Sequence, residues 1–361
     1  MSILKTVVRL NRKLPILIPE VARHPRLLPK ILMNYARLAA GGKALRTVDF
    51  SVTFDCQCKC EHCYASPMIN TTQEPMTFDQ MRSAIDQSLE LGAIIINFVG
   101  GEPLCYPRLD ELIAAIPPHR AIATLSTNGL ELTPERVRRL AAAGLGYIAI
   151  SMDYDDAERH DRFRGRKGVY AAAMAGIKLA KAAGIGVVIN TTVTRDNMED
   201  GTVGRLVEFT RRSGVTHTMH LAATVGNWER HGQVSLTPEH RAQFEAYRQL
   251  PHVRWDGSSN YLVECCAAGG EKISISAFGD VLPCAMIQMS YGNLKQVPLK
   301  DAWARMLAEP CLQKKAPHCI AVDDPQFMDT VIRKINRHPM RPMTREAVLG
   351  AGPGDGQTPA E

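Results

Sequence analysis

Four cysteines fall within eight residues of this chain, in the run Cys56-Gln57-Cys58-Lys59-Cys60-Glu61-His62-Cys63-Tyr64. Cys56, Cys60 and Cys63 form C-x3-C-x2-C, which delivers three thiolates from one short loop. Thiolate is the metal-binding form of cysteine, and three of them on a 4Fe–4S cluster leave one iron without a protein ligand. An open iron binds a cofactor or substrate directly, whereas a closed four-ligand site mainly carries electrons or holds structure. Two other readings of the same residues stay open. Cys58 makes C-x-C-x-C-x2-C and permits a different ligand set, and His62 beside Cys63 suits a zinc ligand.

A second motif, Gly100-Gly101-Glu102-Pro103, follows the short apolar run Ala93–Phe98. Glycine lets backbone approach a ligand closely, and a carboxylate there can pair with an ammonium group through a charge-assisted hydrogen bond. Later apolar runs also end in polar residues: Ser126-Thr127-Asn128, then Ser151 and Asp153, with Asn190 inside the run after that. Arg164 lies in His160-Asp161-Arg162-Phe163-Arg164-Gly165, where a planar guanidinium suits bidentate contact with a carboxylate. Arg162 and Arg166 are its close competitors. Four more cysteines come late, as Cys266-x12-Gly279-x4-Cys284 followed by Cys311 and Cys319. Four thiolates suffice for one further cluster. Cys265 competes with Cys266, and Cys105 reads as a packing or pocket-lining residue.

The C-x3-C-x2-C loop with Tyr64 after it, placed behind the strand-like run Thr47–Phe54 and followed by Gly100-Gly101-Glu102-Pro103, resembles the radical S-adenosylmethionine (radical SAM) family. The resemblance covers most of residues 47–285. Cys266-x12-Gly279-x4-Cys284 is similar to the SPASM and twitch extensions of that family, and the missing C-x2-C-x5-C-x3-C stretch favours the shorter form. The resemblance implies a partial (β/α)6 barrel with a small C-terminal β-hairpin and helix domain holding one auxiliary 4Fe–4S cluster. It implies S-adenosylmethionine (SAM) on the open iron of the first cluster. His62 would sit beside the adenine, Tyr64 would line the cofactor site or pack, and Gly100, Gly101 and Glu102 would hold the methionine amino group. Ser126, Asn128, Ser151, Asn190 and Arg164 would contact the ribose and the methionine carboxylate.

The elements that must position these residues are legible as alternating strand and helix signals from Thr47 onward. Thr77-Phe78-Asp79-Gln80 is a capping box, and Thr133-Pro134-Glu135 and Thr237-Pro238-Glu239 open further helices. Strands are expected at Ala121–Leu125, Tyr147–Ile150, Ile185–Val193 and Thr216–Leu221, and alternation of this kind implies a parallel sheet covered by helices. After about residue 258 the pattern becomes a hairpin, Lys272–Ser276 with Val281–Cys284, then a helix at Leu299–Leu307. Residues 340–361, rich in Pro, Gly and polar groups, read as a flexible tail. The expected units are thus 1–46, 47–257, 258–339 and 340–361.

Composition bounds the rest. At 361 residues, with 45% hydrophobic and 22% charged residues, the chain is an ordinary globular one of about two domains. The net charge of +6 is concentrated at the start: residues 1–46 carry ten Lys or Arg against Glu20 alone. The body is therefore slightly acidic, which argues against a nucleic-acid binder. In 1–46, Ile3, Val7, Leu10 and Leu14 recur at helical spacing, as do Leu28, Ile31, Leu32, Tyr35 and Leu38. Such a segment packs as a helical cap or docks on an anionic membrane. No apolar run spans a bilayer and no signal peptide is visible, so the expected place is the cytoplasm, with peripheral contact at the inner membrane through residues 1–46.

The expected function is an oxidoreductase that cleaves SAM to a 5′-deoxyadenosyl radical and abstracts hydrogen from a substrate C–H bond. Its partners would be a small-molecule or peptide substrate and an external electron donor such as flavodoxin or ferredoxin. Ribosomal-peptide maturation by the same chemistry is the alternative, and a non-catalytic Fe–S or zinc electron-transfer or sensor protein is the reading from another class.

Overall fold

A computed structural model describes residues 22–69, 72–255, 257, 260–313 and 315–350. Eight strands run parallel in one sheet: β1 (Thr47–Thr53), β2 (Ile95–Gly100), β3 (Ile122–Thr127), β4 (Leu145–Ser151), β5 (Gly186–Val193), β6 (Thr216–Leu221), β7 (Val253–Arg254) and β8 (Lys272–Ile275). β9 (Val281–Leu282) adds antiparallel to β8. The order β7-β6-β5-β4-β3-β2-β1-β8-β9 has two free ends, so the barrel is partial. Helices cross over between successive strands, as parallel pairing requires.

The strands alternate in an informative way. In β1, Val48, Phe50 and Val52 are almost wholly buried in the main core beneath helix Phe78–Glu90. Asp49 points the other way, into the lumen, as do Asn97, Thr124, Ser126, Asn190 and Thr218 on the neighbouring strands. Sheets of this class are usually apolar on both faces. A polar inner face means that the lumen is kept for a ligand or for water.

Helix Leu28–Ala39 closes the barrel at the starts of the strands. Lys30 Nζ donates to the carbonyls of Leu89 and Ala93 at 2.8 Å each, and Asn34 Nδ2 to Gly92 O and Tyr261 Oη at 2.7 Å each. Ile31, Tyr35 and Leu38 face inward as expected, but Leu28 and Leu32 turn outward and are exposed. The helix expected over Ile3–Leu14 lies outside the described residues.

Two expectations about the C-terminal part need correction. β8 pairs with β1, so the sheet runs unbroken past the boundary expected at 257/258. Residues 340–350 are not a flexible tail: β11 (Met343–Thr344) pairs with β10 (Met289–Ser290), and helix Arg345–Leu349 follows. Val348 is buried in the main core, and Arg345 and Arg341 reach Glu309 and Glu229. Residues 351–361 lie outside the description.

Candidate active site

The cysteine loop hangs between the end of β1 and helix Ala157–Arg164. On one side, Gly101 N donates to Thr53 O at 2.9 Å and Glu102 N to Asp55 O at 2.8 Å. A Cβ on Gly100, whose φ is +137°, would lie 2.1 Å from Thr53 O, and one on Gly101 would lie 2.4 Å from Phe54 O. The two glycines therefore let two backbones meet, besides bordering the ligand space as expected. On the other side, Lys59 N and Glu61 N donate to the carbonyls of Arg164 and Phe163 at 3.1 and 3.0 Å. Asn227 fastens the last turn, donating from its backbone to Cys63 O at 3.1 Å and from Nδ2 to Cys60 O at 2.8 Å.

The thiols themselves are set in hydrogen-bond donors. Cys58 N donates to Cys56 Sγ at 3.4 Å, and Asn128 Nδ2 lies 4.0 Å from the same sulfur. The buried Cys58 thiol bonds to both Cys56 and Cys60. Cys60 is brought down to about 6, first by that bond and then by the Arg164 charge, against the opposing effect of burial. Cys63 is pushed up to about 11 by burial. Donors aimed at sulfur stabilise thiolate and suit cluster ligands. Among the described residues, no three His, Cys, Asp or Glu are grouped closely enough to hold a single metal ion.

Arg164 is the guanidinium that reaches this site. Arg162 and Arg166 are exposed, whereas Arg164 is 8% exposed, with Nη1 3.9 Å from Cys60 Sγ. Its Nε and Nη2 donate to Asp153 Oδ2 at 2.8 and 2.6 Å. Asp153 Oδ1 accepts from Thr192 N at 2.8 Å, and the carboxyl is held below its usual range by Arg164 despite burial. The strand-end position of Asp153 is the only sign in the sequence of this anchoring of the arginine.

Glu102 departs from expectation. Its carboxylate is 1% exposed and does not border the ligand space. Oε1 accepts from Thr127 Oγ1 at 2.8 Å and Leu104 N at 3.1 Å, and Oε2 from Asn128 N at 2.8 Å. It ties the end of β3 to the loop after β2. Burial raises it to about 7, against the pull of those three bonds.

A cavity of about 280 Å³ lies at the carboxyl ends of the strands. Apart from Cys63 and Glu102, every residue expected in the SAM and first-cluster sites borders it. His62 stacks on Phe163 at 4.7 Å between centroids and is held neutral, lowered to about 3 by burial. Tyr64 lies beside Asp49, bonds to Ser51 through its phenol, and is pushed up by burial. Ser126 Oγ donates to Asn97 Oδ1 at 3.2 Å, and Ser151 sits opposite Asn190 in register. Lys272 and Trp228 also border the cavity, and no motif points to either; Lys272 Nζ pairs with Asp49 Oδ2 at 2.9 Å.

Cys284 borders the same cavity, next to Met286. Cys266, Cys284, Cys311 and Cys319 all pack half-buried against the main core. Burial raises Cys319, and the charges of Cys266 and Cys284 raise it further. Cys311 lies by Tyr291. Cys265 is taken by Asn260, whose Nδ2 donates to its carbonyl at 2.8 Å and its sulfur at 3.3 Å. That favours Cys266 as the fourth ligand. Cys105 does not border the cavity.

Comparison with known proteins agrees with this layout. The family model described as the radical SAM superfamily matches residues 50–209, and the iron–sulfur cluster-binding SPASM domain matches 265–321. The AdoMet-dependent heme synthase of Nitratidesulfovibrio vulgaris is 29% identical over 300 residues, covering 74% of this chain and 81% of that protein. The PqqA peptide cyclase of Rhizobium meliloti is 26% identical over 304 residues, covering 79% and 78%. Among solved structures, Streptococcus suis SuiB bound to the precursor peptide SuiA has a TM-score of 0.58 at 17% identity, covering 75% of this chain and 67% of that one. The enzyme anSMEcpe with bound AdoMet has a TM-score of 0.57 at 15% identity, covering 72% and 80%. At such identities these two likenesses concern the fold.

Proposed function

Because this chain is a radical SAM enzyme with a SPASM iron–sulfur domain, we propose that Cys56, Cys60 and Cys63 hold its first 4Fe–4S cluster and that Cys266, Cys284, Cys311 and Cys319 hold the auxiliary one. The observation that carries this reading is the single cavity bordered by Cys56, Cys60, Gly100, Gly101, the strand-end polar residues and Cys284. When bound, the reduced first cluster supplies the electron that splits SAM into methionine and a 5′-deoxyadenosyl radical.

The chain's own residues orient and shield. The Gly100-Gly101 backbone faces the methionine amino end, and Arg164, held by Asp153, offers Nη1 beside Cys60 toward the carboxylate. Ser126, Asn128, Ser151 and Asn190 offer hydrogen bonds to the ribose and methionine. Neutral His62 and Tyr64 flank the adenine, and Trp228 and Met286 keep water from the reacting carbon. Cys284 borders this cavity, and an auxiliary cluster held by Cys266, Cys284, Cys311 and Cys319 would supply an acceptor for the second electron of a substrate oxidation. The net reaction is then oxidation or bond formation in a biosynthetic or maturation pathway.

The substrate is a peptide or a small molecule, and the reductant an external one-electron donor such as flavodoxin or ferredoxin. Peripheral contact with an anionic membrane through residues 1–46 is favoured by exposed Leu28, Leu32 and Met33 beside Arg26 and Arg37, with no acidic residue from 21 to 46. Anaerobic reconstitution tests the core of the reading. The protein should bind about eight irons as two clusters and release 5′-deoxyadenosine with dithionite and SAM, and about four after triple Ala replacement of Cys56, Cys60 and Cys63. Stoichiometric zinc without broad visible absorption would overturn it.

A further inference from the structure

The cysteine loop is held from outside by residues far along the chain. The loop after β6 lies across it. A Cβ on Gly226 would lie 2.1 Å from Cys63 O, so the two backbones touch. Asn227 donates from its backbone to Cys63 O at 3.1 Å and from Nδ2 to Cys60 O at 2.8 Å. Trp228 sets its ring 5.7 Å from that of His62 and 5.9 Å from that of Phe163. Ala223, Val225 and Trp228 border the candidate SAM cavity. One loop therefore walls the cavity and also fixes the carbonyls of Cys60 and Cys63.

That loop is gripped in turn by the segment after residue 321, where the matched iron–sulfur domain ends. Asn336 Nδ2 donates to Thr224 O at 2.7 Å, and Arg341 Nη2 to Glu229 Oε2 at 2.6 Å. Arg341 is 6% exposed and also donates within its own segment, to Asn336 O at 2.8 Å and His338 O at 3.2 Å. The segment reaches the far end of the cysteine loop by a second route. Met343 N donates to Gln288 O at 3.1 Å, and Gln288 Nε2 donates to Tyr64 O at 2.6 Å. The segment is itself well rooted: Val331, Ile332, Ile335 and Val348 are buried in the main core, and Arg345 pairs with Glu309 at 3.0 Å.

We propose that residues 325–345 form a strap that holds the cysteine loop and the loop after β6 in the arrangement that receives SAM, with Arg341 as its positioning residue. The inference rests on the radical SAM reading for what the strap serves; the link between the segments does not depend on it. No residue from 325 to 345 borders the cavity, so the strap acts through Thr224, Glu229 and Gln288. A binding site has to be held to within about 0.5 Å by its supporting residues. The cysteine loop has little packing of its own to do this, since Cys56 and Asn227 are exposed. Arg341 is the sensitive point, because removing one partner of a largely buried ion pair leaves the other uncompensated.

The test compares wild type, Arg341→Gln, Asn227→Ala and the double variant, each as the full chain reconstituted anaerobically and selected by iron content for both clusters. Arg341→Gln should bind SAM about 5-fold more weakly in calorimetry, the scale of coupling through a contact network. Asn227→Ala should weaken it too, and the double variant should be little worse than the weaker single one, because both act through one loop. Hydrogen exchange measured by mass spectrometry without SAM should be faster in Arg341→Gln at residues 56–64 and 222–229, and unchanged in helix Phe78–Glu90. A merely structural role would lower stability or iron content and leave the SAM affinity of the cluster-loaded protein as it was. If Arg341→Gln fails to load both clusters, Glu229→Gln carries the same expectations, since it keeps the donations of Arg341 to Asn336 O and His338 O. Wild-type SAM affinity in the cluster-loaded variant, additive effects in the double variant, or unchanged exchange at residues 56–64 would each overturn the proposal. Wild-type protein that binds no SAM would overturn the radical SAM reading instead, and the exchange measurement would still judge the strap.

Discussion

Replacing Glu102 with Gln tests whether the carboxylate is a buried clamp or a ligand-facing charge. In the structure it is 1% exposed and raised to about 7 from 4.5 by burial. A group whose folded value lies above its unfolded value contributes stability that is fully present below the unfolded value. That contribution is lost as pH rises through the folded one. For these two values the loss between pH 5.5 and pH 8 is about 2 kcal/mol, at about 1.4 kcal/mol per unit. The amide of Glu102→Gln cannot titrate, so the variant's stability lacks this slope. It also leaves one donor among Leu104 N, Asn128 N and Thr127 Oγ1 poorly met, at about 1–3 kcal/mol. The wild type should therefore be the more stable of the two at pH 5.5, and its advantage should shrink by about 2 kcal/mol by pH 8. Anaerobic denaturant unfolding of both cluster-loaded proteins across that range measures it. Parallel curves would mean that the carboxyl is not raised in the folded protein, and an advantage that grows with pH would mean that its three hydrogen-bond donors outweigh burial; either result would refute the reasoning.

Three shorter tests follow. Cys58→Ala should keep both clusters and 5′-deoxyadenosine release, because Cys58 only bonds to its neighbours' thiols; loss of the first cluster would show that Cys58 is a ligand. Cys266→Ser should lower the iron content by about four while Cys265→Ser leaves it unchanged, since Asn260 already occupies the Cys265 sulfur; the reverse result would exchange their roles. The full chain should co-sediment with anionic liposomes at low salt and release at high salt, because basic residues near such a surface contribute about 1 kcal/mol each and salt screens them. Indifference of the full chain to those liposomes would leave helix Leu28–Ala39 as a structural cap only.

What the sequence discloses about this site follows from how local each constraint is. Three ligands from one loop must keep a fixed spacing, so Cys56, Cys60 and Cys63 declare themselves. Gly100-Gly101 does so because a Cβ at either position would strike the backbone of the cysteine loop. The partners that set each side chain's task lie far along the chain. Glu102 is turned inward by Thr127 and Asn128, and Lys272 meets Asp49 across the β8–β1 pair. Gly226 gives no local sign of its role, yet a Cβ there would lie 2.1 Å from Cys63 O. Residues 340–350 escape a local reading for the same reason: they lack a periodic apolar pattern, and their order comes from pairing with β10 and from Val348 entering the core.

One long-range property is nonetheless written locally. A strand covered by helices on one face and filled by side chains on the other has no reason to alternate. Thr47-Val48-Asp49-Phe50-Ser51-Val52-Thr53 alternates strictly, and its Thr47 and Asp49 face the lumen. The same holds in β6, where His217 and Met219 are buried outward while Thr216, Thr218 and His220 face inward. Keeping such residues inside costs packing energy that an apolar filling would have gained. Polar side chains along the lumen therefore mark space maintained for a solute. That space extends below the SAM cavity as well as within it, so a cluster loop at the rim accounts for only the upper part of it.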